Sequence, residues 1–418
     1  MTRRLLAAVA VAALALSACG RGGDDGAARQ GDAVDGGKAA GDITVWAMGT
    51  EGEKLSLLAD AFMKDNPDAK VTVTPVPWDG AHNKLSTAIA GQKTPDVTML
   101  GTTWVGEFAK TGALDVVPPD FVRQKDFFPG AWETGVVDGT SYSVPWYVET
   151  RLLYVNKAIA EKAGVTSAPK TWDELTQAVK DMQAKGGAKY GIYLQPGQTG
   201  AWQTVMPFVW QNGGDIHDGQ KFTLDSPQVV EALDYYRSFY DSGLSSRDRL
   251  REGEPEQKLL ANEVASFVSG PWHIGLLNEL GGKGKYELWP MPSGSGDFTS
   301  FIGGSNLAVF KGTKNRDAAW KFVSYLMKPD VQVKWYQTVS DLPSVQAAWN
   351  NEALAGDAQL KLFGDQLDKA KAPPAIPTWE QIAAGVDTEL EKIAKGTESP
   401  ADAAKAMQAQ ATSIGTGG

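Results

Sequence analysis

Ile43-Thr44-Val45-Trp46, Val71-Thr72-Val73-Thr74 and Asp96-Val97-Thr98-Met99-Leu100 are three short β-branched runs spaced along the early chain. Between the first two, residues 53–66 carry Leu55, Leu58, Ala59 and Phe62 at a helical period, and Asn66-Pro67-Asp68 stops them. Between the last two, residues 81–90 read as a helix ended by Gly91. Residues 105–110 add a short helix. Strand, helix, strand, helix, strand predicts parallel pairing in an α/β sheet. Ligands of such sheets gather at the carboxyl ends of the strands. Those ends are residues 47–51, 75–79 and 101–104.

Beyond this block, residues 142–156 read as extended, rich in Val, Tyr and Trp. Thr171-Trp172-Asp173-Glu174 is a capping box opening a helix to about Lys185. Helices are also expected over 202–211 and 227–240, the second started by Ser226-Pro227. Short strands are expected over 264–268, 286–289 and 306–310. From Arg316 on, nearly everything reads as helix: 316–327, 331–338, 357–371, 379–394 and 400–413. The late strand at 306–310 needs a sheet to join. A chain that crosses between two lobes more than once supplies one.

Upstream of the first strand the composition changes twice. Arg3 and Arg4 precede an apolar run over 5–16, then Leu16-Ser17-Ala18-Cys19. This order is a basic region, an apolar region and a small-residue cleavage site, so residues 1–18 read as a signal peptide. The apolar run falls short of the roughly 20 residues a spanning helix needs. Cys19 is the only cysteine of 418 residues. A cysteine after Leu-Ser-Ala resembles a bacterial lipobox, whose thiol is diacylated and becomes the new N-terminus. Residues 20–41 are mostly Gly, Ala, Asp and Arg and bury no core. Together, 19–41 read as a lipidated flexible tether.

Composition bounds the partners. The formal net charge of -10 argues against nucleic acid and against adhesion of the folded part to anionic headgroups. His82, His217 and His273 are scattered, so no metal site and no cofactor is expected. There is no G-x-S-x-G elbow, P-loop, H-E-x-x-H or G-x-G-x-x-G. Fourteen tryptophans are many, and several stand beside Gly, Pro, Asp or Thr rather than in apolar runs: Trp78, Trp104, Trp202, Trp272 and Trp379. An indole offers a flat face to the C–H face of a pyranose and one N–H donor.

The mature chain resembles the extracellular solute-binding proteins of ABC importers, in the carbohydrate-binding branch that includes maltose- and trehalose/maltose-binding proteins. The resemblance runs through the residues from Ile43 to Glu51, Thr94-Pro95-Asp96-Val97 with Gly101-Thr102-Thr103-Trp104, and the stretch 144–157. It continues through Pro169-Lys170-Thr171-Trp172-Asp173-Glu174-Leu175, Ser269-Gly270-Pro271-Trp272, Gly303-Gly304-Ser305-Asn306 and Ala318-Ala319-Trp320-Lys321-Phe322. It implies a two-lobe, type II periplasmic-binding-protein fold, each lobe a sheet flanked by helices. The lobes would comprise 42–145 plus 304–340, and 149–302 plus 341–418. Crossings are expected near 145–150, 301–304 and 339–342.

The resemblance also implies a monomer on the outer face of the cytoplasmic membrane, not an enzyme, that hands a di- or oligosaccharide to permease subunits. Carried over by position, Glu51, Tyr147, Glu149 and Trp272 are ligand positions, with Glu149 where relatives place an Asp, and Gly304 and Ser305 are counted among the ligand-binding candidates. Gly101 stands where relatives often place a hydroxyl-binding carboxylate, and Ser305 where some place a stacking Trp. Trp78, Asp79, Trp104, Gln198, Trp202, Asp341 and Trp379 are further candidates. Arg151 shares a strand face with Glu149, so the two are either ligand contacts or an internal ion pair. Trp210, Trp320, Trp335 and Trp349 are expected in the core. A secreted lipoprotein glycosidase, which needs two suitably spaced carboxylates, is the rival reading. A binder of a non-sugar solute in the same fold is the third.

Overall fold

The computed structural model describes residues 32–119, 121–297, 299–354, 356–374 and 376–417. The signal peptide, Cys19 and the tether up to residue 31 lie outside them. Twelve strands are present among the described residues: β1 Gly41–Met48, β2 Ala69–Val76, β3 Val97–Gly101, β4 Val136–Val137, β5 Thr140–Ser141, β6 Val144–Thr150, β7 Leu152–Asn156, β8 Ser266–Ser269, β9 Tyr286–Trp289, β10 Ser300–Val309, β11 Leu342–Pro343 and β12 Ala370–Lys371.

The large sheet has the order β11-β6-β10-β3-β1-β2, with β12 beside β10. β1 runs parallel to β2 from Gly41↔Ala69 to Met48↔Val76, and parallel to β3. The opening block therefore forms the parallel unit that its pattern predicts. The late strand finds its sheet: β10 lies antiparallel to β3, with Asn306 opposite Leu100 and Val309 opposite Val97. It is longer than the sequence suggests, because its first half pairs with β6. Here one glycine is obligatory. Gly304 has φ +132°, and a Cβ on it would stand 2.2 Å from the Tyr147 carbonyl oxygen. Only a residue without a side chain lets β10 approach β6 this closely.

Every residue of β6 and β7 is buried, as a continuous Val/Leu/Tyr/Trp run requires. The two strands belong to different sheets, and Arg151 is the one residue between them. β7 is the centre of the second sheet, β8-β7-β9, antiparallel on both sides. One large apolar cluster joins the first sheet to its helices, where Phe62 packs edge-on against Phe322 with ring centroids 5.1 Å apart. A second joins β7 to the helices Trp172–Ala184, Trp202–Gln211, Pro227–Asp241, Trp379–Lys395 and Pro400–Ile414. A third, smaller cluster bridges Val148 and Tyr336 to Tyr154, Phe267 and Phe363.

Most helices fall where their periodicity puts them. Thr171 Oγ1 accepts the Glu174 N–H at 3.2 Å, but the Glu174 carboxylate accepts the Lys170 N–H at 2.6 Å, one residue before the expected partner. Helices Lys157–Ala163, Glu254–Leu260 and Trp272–Glu279 have no counterpart in the sequence reading. The end of the expected tether is docked: Ala39 is buried, and Asp35 pairs with Lys321 at 2.6 Å.

Candidate functional site

A cleft of about 790 Å³ opens where the two sheets meet. One wall comes from elements that begin at the carboxyl ends of parallel strands. The helix Gly49–Lys54 starts as β1 ends and carries Glu51 in its first turn. The helix Trp78–Ala90 follows β2 and opens with Trp78 and Asp79. The turn Thr102–Trp104 follows β3. Trp78 and Trp104 form an aromatic corner, centroids 5.5 Å apart at 70°.

The floor comes from the crossing. Tyr147 and Glu149 point the same way from β6, two residues apart. Arg151 follows them, and Gly304 adds bare backbone. Arg151 Nη2 donates to Glu149 Oε1 at 3.2 Å and to Gln203 Oε1 at 2.6 Å. Its guanidinium also lies 4.8 Å from the ring of Trp272. The opposite wall is built by the starts of three helices, Trp202–Gln211, Trp272–Glu279 and Trp379–Lys395. Gly270 makes Trp272 possible, since a Cβ there would fall 2.0 Å from the indole ring. An aromatic corner, a backed indole and a ring of carboxylates, amides and hydroxyls around one cavity make a site for a polar ligand with apolar faces.

The sequence profile of the bacterial extracellular solute-binding protein family matches residues 47–333. The chain belongs to that family. It is 30% identical to the diacetylchitobiose binding protein DasA of Streptomyces coelicolor over 431 residues, which cover 98% of each chain. Its fold superposes on the sugar-binding protein MalE of Xanthomonas citri with a TM-score of 0.77 at 31% identity, covering 90% of this chain and 97% of that one. The GacH receptor of Streptomyces glaucescens, solved unliganded and with acarbose, matches with a TM-score of 0.83 at 27% identity, covering 90% and 99%.

In this solute-binding protein Glu51, Trp78, Asp79, Trp104, Tyr147, Glu149, Arg151, Gln198, Trp202, Trp272 and Gly304 all line the cleft. Three expected positions do not reach it. Ser305 is fully buried and donates to the Leu100 carbonyl at 2.8 Å, which holds β10 to β3. Asp341 lies a layer behind the floor and accepts from Trp335 Nε1 at 2.9 Å. Trp379 is core, packed edge-on against Trp202 with centroids 5.0 Å apart. Trp202 is itself nearly covered, by Trp379 and by Phe301 at 5.2 Å, so it backs the wall more than it faces a ligand. Glu149 and Arg151 form the internal ion pair, and both also line the cleft.

Sequence reasoning missed Gln195, Gln203, Arg249, Glu252, Glu380 and Asp387. Asp387 accepts the N–H groups of Gly200 and Trp202, each at 2.8 Å, and so anchors the loop before the Trp202 helix. Glu256 holds His273 through Nδ1 at 2.5 Å in the wall behind Trp272. No signal in the linear pattern distinguishes these from ordinary helix-surface acids. Among the described residues no group of His, Cys, Asp and Glu is placed to hold a metal ion.

Burial governs the electrostatics. It pushes the Glu51 carboxyl up to about 7, against the Tyr147 hydroxyl beside it and with the Glu149 charge adding to the rise. It raises Glu149 as well, opposed by Arg151. A raised carboxyl binds its proton more tightly in the folded chain. Its contribution to stability is complete below the unfolded value of about 4.5, declines as pH rises, and is gone above about 7. Glu51→Gln removes this dependence. The melting temperature of the variant relative to wild type should therefore rise between pH 5 and pH 8. A difference that stays constant across that range would refute the shift.

Proposed function

We propose that this protein is the extracytoplasmic receptor of an ABC importer and captures a di- or oligosaccharide between its lobes. The observation that carries this reading is the cleft itself. Trp78, Trp104 and Trp272 supply flat apolar plates for the C–H faces of a sugar. Glu51, Gln195, Gln203 and Arg151 supply the donors and acceptors its hydroxyls need. The relatives named for diacetylchitobiose and acarbose bind ligands of this class. The lobes are taken as 42–145 plus 304–340 and 149–302 plus 341–418. The partition is supported by two separate apolar clusters and by the sheet change at Arg151.

Sugar bridging the lobes favours the closed arrangement by making contacts that the open one lacks. The closed form then docks on the permease. Cys19, in Leu16-Ser17-Ala18-Cys19, is the proposed lipid anchor, which keeps receptor and permease at high effective concentration. Among the described residues no helix is long and apolar enough to cross a membrane.

A thermal-shift screen over mono-, di- and oligosaccharides tests the reading, because a ligand that binds only the native state raises the melting temperature. Any hit is then incubated with the protein and analysed for cleavage. Recovery of intact sugar fits a receptor. Hydrolysis would make the protein a glycosidase, and no hit among the sugars would favour another solute.

A further inference from the structure

Beyond the main cleft lies a second chamber of about 380 Å³. The two cavities share Trp78, Asp79, Gln198, Arg249, Arg251 and Glu252. Among these shared residues one side chain, Arg249, joins the two walls of the cleft. Arg249 Nη2 donates to Asp79 Oδ1 at 3.2 Å, and Arg249 Nη1 donates to Gln198 Oε1 at 2.9 Å. Asp79 belongs to the first wall of the cleft, whereas Arg249 and Gln198 belong to the other.

Gln198 is placed deliberately. Its φ is 64°, a left-handed conformation uncommon for a residue with a side chain. Gln195 pins the turn around it, donating through Nε2 to the carbonyls of Gly197 at 3.1 Å and Thr199 at 3.0 Å. Strain held this way concentrates at working positions. Here it keeps the Gln198 amide facing the arginine.

The partition is also cheap to open. The Asp79 side chain is 72% exposed. An exposed ion pair is worth about 0–1 kcal/mol. Arg251 and Glu252 line both cavities, and among the described residues no hydrogen bond or ion pair engages the Arg251 guanidinium or the Glu252 carboxylate. Both are free to meet hydroxyl groups, and Trp78 presents its ring to both chambers.

We infer that the Asp79–Arg249–Gln198 bridge is a gate that sets the chain length of the bound saccharide, and that the chamber behind it takes the next sugar unit of a longer oligosaccharide. This rests on the oligosaccharide reading above. With the gate shut, a short ligand fills the main cleft. A longer one displaces Arg249 from Asp79 and lays its terminal unit beside Trp78, with Arg251 and Glu252 as hydroxyl partners.

The test is titration calorimetry of the full protein with two ladders, maltose to maltoheptaose and diacetylchitobiose to hexaacetylchitohexaose. Wild type, Asp79→Ala and Asp79→Ala/Arg251→Ala are compared. In wild type, affinity should peak at the length that fills the main cleft. Asp79→Ala should move the peak to longer chains and tighten binding of those chains by up to about fivefold, the factor that corresponds to the roughly 1 kcal/mol ceiling of an exposed ion pair. Adding Arg251→Ala should remove that gain. An unchanged length profile overturns the gate while leaving the receptor reading intact, and so does a change of equal size at every length. A folded wild-type protein that binds no member of either ladder overturns the oligosaccharide reading, and the gate with it.

Discussion

Arg151→Met is expected to lower the unfolding free energy by about 3–5 kcal/mol near pH 8, the cost of stranding one partner of a buried ion pair. Arg151 and Glu149 have side chains only 9% and 10% exposed. Glu149 Oε2 already lacks a partner, so Arg151 is the main compensation for its charge. Methionine also withdraws the donor to Gln203 and the cation behind Trp272 and Phe301. The direction with pH follows from the same burial. Glu149 is raised by desolvation and held down by Arg151, so losing the arginine raises it further. Protonation then relieves the cost, and the loss measured by urea unfolding should shrink from pH 8 to pH 5. Glu149→Leu/Arg151→Met should recover most of the stability, because no uncompensated charge remains. A loss at pH 8 smaller than the roughly 1 kcal/mol of an exposed pair would show that the crossing does not depend on this bridge.

Trp272→Ala is expected to weaken oligosaccharide binding by about 1–3 kcal/mol, the scale of one large buried apolar contact. The ring is backed on one side by Arg151 at 4.8 Å, so its orientation is set before a ligand arrives. Gly270→Ala should weaken binding in the same direction, because the added Cβ falls within 2.0 Å of the ring and 2.7 Å of Glu149 Oε2. The check is calorimetric titration of variants whose circular dichroism matches wild type. Unchanged affinity in a folded Trp272→Ala would remove this indole from the site.

The strands and helices of the first sheet were legible because period and punctuation agreed along residues 43–110. The late strand β10 was legible by a different route: it had no local partner, which implied a chain that returns to an earlier sheet. The candidate site was partly legible for a related reason. Glu51, Trp78, Asp79 and Trp104 sit just past strand ends, and in a parallel sheet those ends share one edge. Sequence proximity to a loop gives the end of an element and not its face, which is where Trp379 and Ser305 went astray. Trp379 leads a helix whose inner stripe continues through Ile382, Ala383, Val386 and Leu390, a pattern that places it in the core. Ser305 lies mid-strand between β3 and β6, where a small hydroxyl ties backbone rather than meeting ligand. Arg249 and Asp387 were beyond reach, since each gains its meaning from a partner at least fifty residues away.

The two-lobe clamp is tested most directly by small-angle scattering of the purified protein, alone and saturated with whichever of diacetylchitobiose and maltotriose binds it more tightly. The expected result is a smaller radius of gyration with sugar bound, as the lobes settle on the ligand. A scattering curve that does not change under calorimetrically verified saturation would contradict closure.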